Sequence, residues 1–339
     1  MIDSLAKILQ RGWSEPNALN YLLLPLTVVY QCVMVLRQFL YSHKILDVYQ
    51  SDCPVVVVGN ISVGGTGKTP LTMAIVKKAK MMGFSPGVIS RGYGGQALEW
   101  PQLVEPETSA HYVGDEAVLI ARKAQCPVAV GPKRGETIEL LLENHQCDLI
   151  ISDDGLQHYA LRRDVEIAVV DQQRRHLNRF CLPSGPLREP ESRLRTVDLI
   201  MNHTAFDLAN DLSERDFSES VDAKFMLEVT SLVSLTEQQE QQVDKSQTFH
   251  AVTGIGHPTR FFKLLSSLGY HIIEHDFPDH HRFVVDDFDF GDELPVIMTG
   301  KDAVKCLAFA KPNWYFLEVE ARLNQSAEAK IEQLLTALR

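Results

Sequence analysis

Residues 55–70 read Val-Val-Val-Val-Gly-Asn-Ile-Ser-Val-Gly-Gly-Thr-Gly-Lys-Thr-Pro, and no other stretch restricts the fold so tightly. Four consecutive β-branched residues predict a strand buried on both faces. A glycine-rich turn follows, then Lys68-Thr69, then an apolar-periodic run through Leu71, Ala74 and Ile75 that predicts a helix. These are the parts of a phosphate-binding loop. Ser62, Val63, Gly64, Gly65, Thr66 and Gly67 supply a backbone cradle, Lys68 a mobile positive charge, and Thr69 a hydroxyl able to ligate Mg²⁺. The generic pattern places glycine five positions before Gly67, where this chain has Ser62. A glycine-rich βα turn with an incidental Lys-Thr would share fragments of the pattern. Here strand, turn, Lys-Thr pair and helix occur together and in the required order, so the chain is expected to bind a nucleoside triphosphate.

At 339 residues the chain has room for one large or two modest domains. Its net charge of −11 argues against a nucleic-acid partner, which selects for a basic surface. Six cysteines without a CxxC pair fit reduced thiols in a cytosolic compartment. Residues 16–36 carry no charge and are just long enough to cross a bilayer. Lys7 and Arg11 precede this run, and Arg37, His43 and Lys44 follow it. Its length, and the lack of a small-residue cleavage pattern, argue against a signal peptide. Three forms are compatible with it: a spanning helix, a helix lying in the interface, or a core helix. Pro25 sits inside the run with Asn17, Asn20 and Gln31 spread along it, which favours a membrane-associated, interfacial helix.

Beyond the phosphate loop, strands are predicted at residues 87–91, 127–130, 148–153, 165–171 and 197–202, and helical spacing at 114–123 and 137–142. Short apolar strands alternating with helices imply βαβ units: an α/β fold of P-loop NTPase type, its mostly parallel sheet covered by helices on both faces. Residues 207–247 break the rhythm with Ser, Glu, Gln and Asp, and hold one strand-like run at 225–229. Strands at 249–253, 270–274, 294–299 and 314–319, with helices at 259–268, 303–310 and 326–338, then predict a smaller α/β domain over 248–339. The expected division is an N-terminal membrane segment (1–50), a P-loop core (51–206), a connector (207–247) and that C-terminal domain.

Ligands of such sheets sit at the carboxyl ends of strands, where Asn60, Arg91, Asp153-Asp154 and Asp171 fall. Asp153-Asp154, ending an apolar strand and followed by Gly155, suits Mg²⁺ coordination opposite a triphosphate better than Asp171 does. A turn whose aspartates merely cap the backbone would look similar. Asp115-Glu116 alone reads as favourable charge at a helix N-terminus. Asp276-Phe-Pro-Asp-His-His281 is dense in possible zinc donors, but adjacent histidines do not share a helix face, and a loop histidine handling a proton in a cleft fits as well. Gly254-Ile-Gly256 only partly matches a dinucleotide fingerprint.

Taken together, Val58 to Pro70, Ser-Arg-Gly-Tyr-Gly-Gly95, Gly114-Asp-Glu116, Ser-Asp-Asp-Gly-Leu-Gln-His158, Leu-Pro-Ser-Gly-Pro-Leu-Arg-Glu189, Thr-Gly-Ile-Gly-His-Pro258 and Asp279-His280 resemble the tetraacyldisaccharide 4′-kinase family, the lipid A 4′-kinases of Gram-negative bacteria. The resemblance spans essentially the whole chain. It implies transfer of the ATP γ-phosphate to the 4′-hydroxyl of an acylated glucosamine disaccharide 1-phosphate, at the cytoplasmic face of the inner membrane, with no protein partner implied. By that resemblance Ser62 is an ordinary family residue. Asp115 and His280 would form a dyad activating the acceptor, Asp115 taking the proton and His280 orienting it. Glu116, Asp153, Asp154 and Gln157, with Thr69, would serve metal and phosphates. Asn60, Arg91, Tyr93, Arg188 and Glu189 are read as substrate-facing. In the turn Thr299-Gly-Lys-Asp302 the family more often has Glu at the Gly300 position, which leaves that turn without an assigned role. Two other classes share the phosphate loop. A membrane-associated regulatory ATPase would carry its signature lysine where this chain has Val63, and a GTP-dependent metallochaperone would use the histidine cluster for metal delivery.

Overall fold

The computed structural model describes residues 12–13, 17–172, 178–204, 217 and 220–339. Lys7, Arg11 and most of the first part of the expected connector lie outside the described residues. The chain opens with helices α1 (Ala18–Leu22) and α2 (Leu24–Ser42). The P-loop half comprises β1 (Val55–Gly59), α3 (Lys68–Met81), β2 (Pro86–Ser90), β3 (Gln102–Leu103), α4 (Ala110–Val113), α5 (Asp115–Lys123), β4 (Val128–Val130), α6 (Arg134–Asn144), β5 (Leu149–Asp153), β6 (Val165–Asp171) and β7 (Leu199–His203). After these come β8 (Lys224–Ser234), β9 (Thr248–Thr253), α7 (Pro258–Ser267), β10 (His271–Asp276), β11 (Val296–Thr299), α8 (Gly300–Cys306), β12 (Trp314–Leu323) and α9 (Gln325–Thr336).

Among the described residues the strands form one twelve-stranded sheet, ordered β10-β9-β11-β12-β8-β7-β6-β1-β5-β2-β4-β3. Pairing is parallel except at β12–β8 and β3–β4. β1 lies between β5 and β6, so its carboxyl end opens where the chain order diverges, the usual ligand position in such sheets. The run of four valines follows from burial on both faces. Val56 and Val58 pack with Leu71, Ile75 and Ala79 of α3, while Val55 and Val57 pack with Ile138 and Leu141 of α6. A strand with one wet face would alternate with polar residues.

β8 is longer than the strand expected at 225–229, and it joins the two halves of the sheet. It lies parallel to β7 through the pairs Asn202–Lys224 and His203–Phe225, and runs antiparallel to β12 for most of its length. The stretch Thr299 to Asp302 is not a free turn but the start of α8, whose expected beginning was Ala303. The Thr299 side chain caps it by accepting from the Asp302 backbone N–H, and donates to the Asp302 carboxylate at 2.6 Å.

The N-terminal segment is helical, in α1 and α2. Pro25 does not interrupt a helix; it occupies the first turn of α2, where its missing N–H costs nothing. The polar residues of the run face the protein. Asn20 Nδ2 donates to Ser184 O at 2.9 Å, Thr27 Oγ1 to Ser184 Oγ at 2.7 Å, and Tyr30 OH to Arg188 O at 2.8 Å. Leu22, Leu26, Val28, Val29, Val33, Val35, Leu36 and Phe39 face outward, each between 48% and 74% exposed. α2 is therefore not a core helix, and by length and composition it is able to cross a membrane.

Candidate active site

The phosphate loop is shaped by backbone that only glycine adopts freely and by two braces. Gly67 caps α3 with φ of 86°, and a Cβ there would come within 3.1 Å of the Phe225 ring. Gly67→Ala is expected to cost about 1–3 kcal/mol of stability through strain and to weaken ATP binding, checked by thermal melting and nucleotide titration. The first brace is Asn60, fully buried, whose Nδ2 donates to Thr66 Oγ1 at 3.0 Å. The second is the loop carrying Arg188. Val63 N–H donates to Pro186 O at 2.9 Å, and Ser62 bridges to Leu187 as a strand residue would. That bridge explains Ser62, because an extended residue in a β-bridge has no need of glycine's freedom.

Where β5 ends, two aspartates meet the loop from below. Thr72 Oγ1 donates to Asp153 Oδ1 at 2.9 Å, and Thr69 Oγ1 lies 3.3 Å from Asp153 Oδ2. Burial, with Glu116 and Asp154 nearby, pushes the Asp153 carboxyl up to about 6. Asp154 goes the other way. Burial works against its charge, but Lys68 Nζ at 3.6 Å and Arg188 Nη1 at 3.0 Å from both of its oxygens, with Arg134 nearby, hold its pKa below the ordinary carboxylate value. Arg134, almost wholly buried, donates from Nη2 to Asp153 O at 3.2 Å and from Nη1 to Gly131 O at 3.0 Å, which fixes the turn from behind. Burial draws its guanidinium down to about 10, with the two aspartates opposing.

A second cluster is assembled from both halves of the chain. Asp115 opens α5 and is 5% exposed; its Oδ2 lies 3.0 Å from His280 Nδ1. Burial raises the Asp115 pKa, but the His280 hydrogen bond and the charges of Lys301 and Lys305 outweigh it, and the carboxyl sits below its ordinary value. The His280 pKa is raised, chiefly by that same hydrogen bond. Tyr93 packs its ring beside the imidazole, with centroids 4.9 Å apart. Gly114 (φ 91°) lets the Arg-Gly-Tyr-Gly-Gly loop reach this place, since a Cβ at 114 would sit 2.5 Å from Tyr93 O. His281 turns away to Asp287 at 2.9 Å, so the adjacent histidines serve different partners.

Most of the expected site residues thus gather around β1, β5 and the start of α5, but three are engaged otherwise than expected. Glu116 is ion-paired to Lys301 of α8. Gln157 donates from Nε2 to Asn60 O at 3.0 Å and faces Arg188 with its carbonyl, a bracing position. Glu189 is 3% exposed, accepts from Tyr159 OH at 2.8 Å and pairs with Arg193 Nε at 3.1 Å, so it holds its loop together instead of lining the cleft. Arg91 is exposed at the end of β2. Thr72, Arg134, Lys301 and Lys305 escaped sequence reading because each acts across elements distant in the chain. Only Thr72 carried a signal, lying one helical turn beyond Thr69.

A phosphate cradle with a carboxylate of its own half paired to a histidine from a later segment defines a P-loop phosphotransferase. A sequence model of tetraacyldisaccharide-1-P 4'-kinase matches residues 19–338. The tetraacyldisaccharide 4'-kinase of Nitrosococcus oceani is 42% identical over 334 residues, covering 98% of this chain and 96% of that protein. That of Pasteurella multocida is 44% identical over 314 residues, covering 92% and 93%. A crystal structure of the "apo" form of LpxK from Aquifex aeolicus in complex with ATP superposes with a TM-score of 0.77 at 27% identity, covering 94% of this chain and 99% of that one. The chain belongs to the tetraacyldisaccharide 4′-kinase family.

Proposed function

We propose that the chain transfers the γ-phosphate of ATP to the 4′-hydroxyl of a tetraacylated glucosamine disaccharide 1-phosphate, a step of lipid A biosynthesis. The observation that carries the mechanism is the 3.0 Å contact between His280 Nδ1 and Asp115 Oδ2. Its geometry favours exchanging the two roles the sequence suggests. With Asp115 ionised, the shared proton sits on Nδ1, leaving Nε2 of His280 to accept the proton of the sugar hydroxyl. A buried carboxylate of lowered pKa is the weaker base, and an imidazole of raised pKa the stronger.

On the donor side, Lys68 and the loop amides hold the phosphates, and Arg188 stands beside Asp154 where transferred charge would be met. The Thr69 hydroxyl and the Asp153 and Asp154 carboxylates are all hard oxygen donors, the set that suits Mg²⁺; these residues would hold it. When bound, the ion neutralises charge on the β- and γ-phosphates. Phosphoryl transfer needs mainly alignment, which the braces from Asn60, Gln157 and Arg134 provide. The outward apolar side of α2 would rest in the cytoplasmic leaflet of the inner membrane, where an acylated acceptor is held. The regulatory-ATPase reading is not favoured: family membership runs against it, and Val63 stands in place of that class's lysine.

Labelled ATP incubated with the acylated disaccharide phosphate in detergent, followed by thin-layer separation, should place label on the lipid. Because His280 must be neutral to accept a proton and its pKa is raised, turnover should rise with pH through an acid limb lying above about 6.5. Label appearing only as free phosphate would overturn the kinase reading, and a limb below the ordinary histidine value would remove His280 as base.

A further inference from the structure

α8 turns two lysines, Lys301 and Lys305, toward the two consecutive acids that open α5. Lys301 Nζ is paired with Glu116, and Lys305 Nζ lies 3.9 Å from Asp115 and 2.8 Å from Asp302. These contacts close a circuit through the dyad. From Asp115 it runs to His280, whose backbone N–H donates to Gly254 O at 3.0 Å. The neighbouring Thr253 donates from Oγ1 to Asp302 at 2.9 Å, Asp302 adjoins Lys301, and Lys301 returns to Glu116 beside Asp115. Each element in the circuit comes from a different part of the chain, and Asp302, its pivot, is fully buried.

We propose that Lys301 is a positioning residue for phosphoryl transfer: by gripping Glu116 from the α8 side it fastens the start of α5 to the segment bearing His280, holding Asp115 and the imidazole in register. This inference rests on the dyad reading above. His280 has a reason to need such support. Its backbone φ is 60°, in the left-handed region a non-glycine residue enters only when its surroundings hold it there. The Lys301–Glu116 pair is well placed to do so, with side chains only 28% and 22% exposed, where an ion pair is screened less than on an open surface. Burial works against the Lys301 charge, but Glu116 and Asp115 outweigh it and raise its pKa, so the ammonium stays charged.

The test compares Lys301→Met, Lys301→Arg, His280→Ala and the Lys301→Met/His280→Ala double variant in the full chain, with ATP and acylated disaccharide phosphate as substrates. Lys301→Met is expected to lower kcat by roughly 10–100-fold with KM for ATP within about threefold of the parent, the cost of a dyad displaced by a fraction of an ångström. Lys301→Arg, which keeps the charge, should recover most of that loss. In the His280→Ala background Lys301→Met should cost less than about threefold more, because a residue acting through the dyad has nothing left to position. Unchanged kcat in Lys301→Met, no recovery in Lys301→Arg, or full additivity with His280→Ala would each overturn the inference. If Lys301→Met melts below the assay temperature, Lys301→Gln carries the same expectations. Normal turnover in His280→Ala alone would overturn the dyad reading instead.

Discussion

Alanine at His280 is expected to lower turnover by roughly 10²–10⁴-fold, the usual contribution of a positioned general base, while ATP binding persists. In the proposed site the phosphates would be held by the loop of residues 62–69, which includes Lys68, and none of these residues touches the imidazole among the contacts described. Asp115→Ala should fall in the same range. Asp115→Asn is the sharper variant, because it keeps an acceptor for Nδ1–H but removes the charge. The Asp115 hydrogen bond and its charge both raise the His280 pKa, so the acid limb of the pH profile should move to lower pH. Measured by kcat against pH with saturating ATP, an unmoved limb would assign it to another group. Near-parental turnover in either alanine variant would remove that residue from the mechanism.

Charging the outer side of α2 should release the chain from lipid. Leu26, Val29, Val33 and Leu36 lie at helical spacing on α2, and all are more than half exposed. If each buries apolar surface in the leaflet worth about 1 kcal/mol, glutamate at all four should reduce partitioning onto anionic vesicles by at least about 10³-fold. The apparent KM for the lipid acceptor should rise, with KM for ATP unchanged. Substitution is preferable to a deletion reaching Gln50. Such a deletion would also remove Tyr49, which packs with the β1 and β5 valine and isoleucine side chains and bridges to Leu161. Vesicle sedimentation reads the first effect. Full co-sedimentation of the quadruple variant would show that α2 is not the lipid contact.

The legibility of this chain follows the range of the forces involved. Burial of a strand on both faces leaves a local record, so β1, β5 and β6 could be read as valine- and isoleucine-rich runs, and the fold class with them. The phosphate loop was legible for a related reason: its anion cradle is made by consecutive backbone amides, and a backbone path needs glycine at fixed spacing. The Asp115–His280 pair was named from family resemblance, not from the local pattern, which by itself gave only a charged helix start and a histidine in a loop.

What the sequence by itself determined was the set of elements, the donor loop and the apolar segment, because each is a property of neighbouring residues. Only the tertiary structure decided which way the polar residues of α2 face, that Glu116 pairs with Lys301, that Glu189 braces its own loop, and that Asp115 meets His280. These outcomes depend on solvation and on charges brought together from distant parts of the chain. Asp115 lies 165 positions from His280, and Glu116 lies 185 from Lys301; at such separations only the folded sheet sets the distance between charges. The phosphate loop could be read directly because it makes its own environment, whereas the Asp115–His280 pair exists only once β8 has joined the two halves of the sheet.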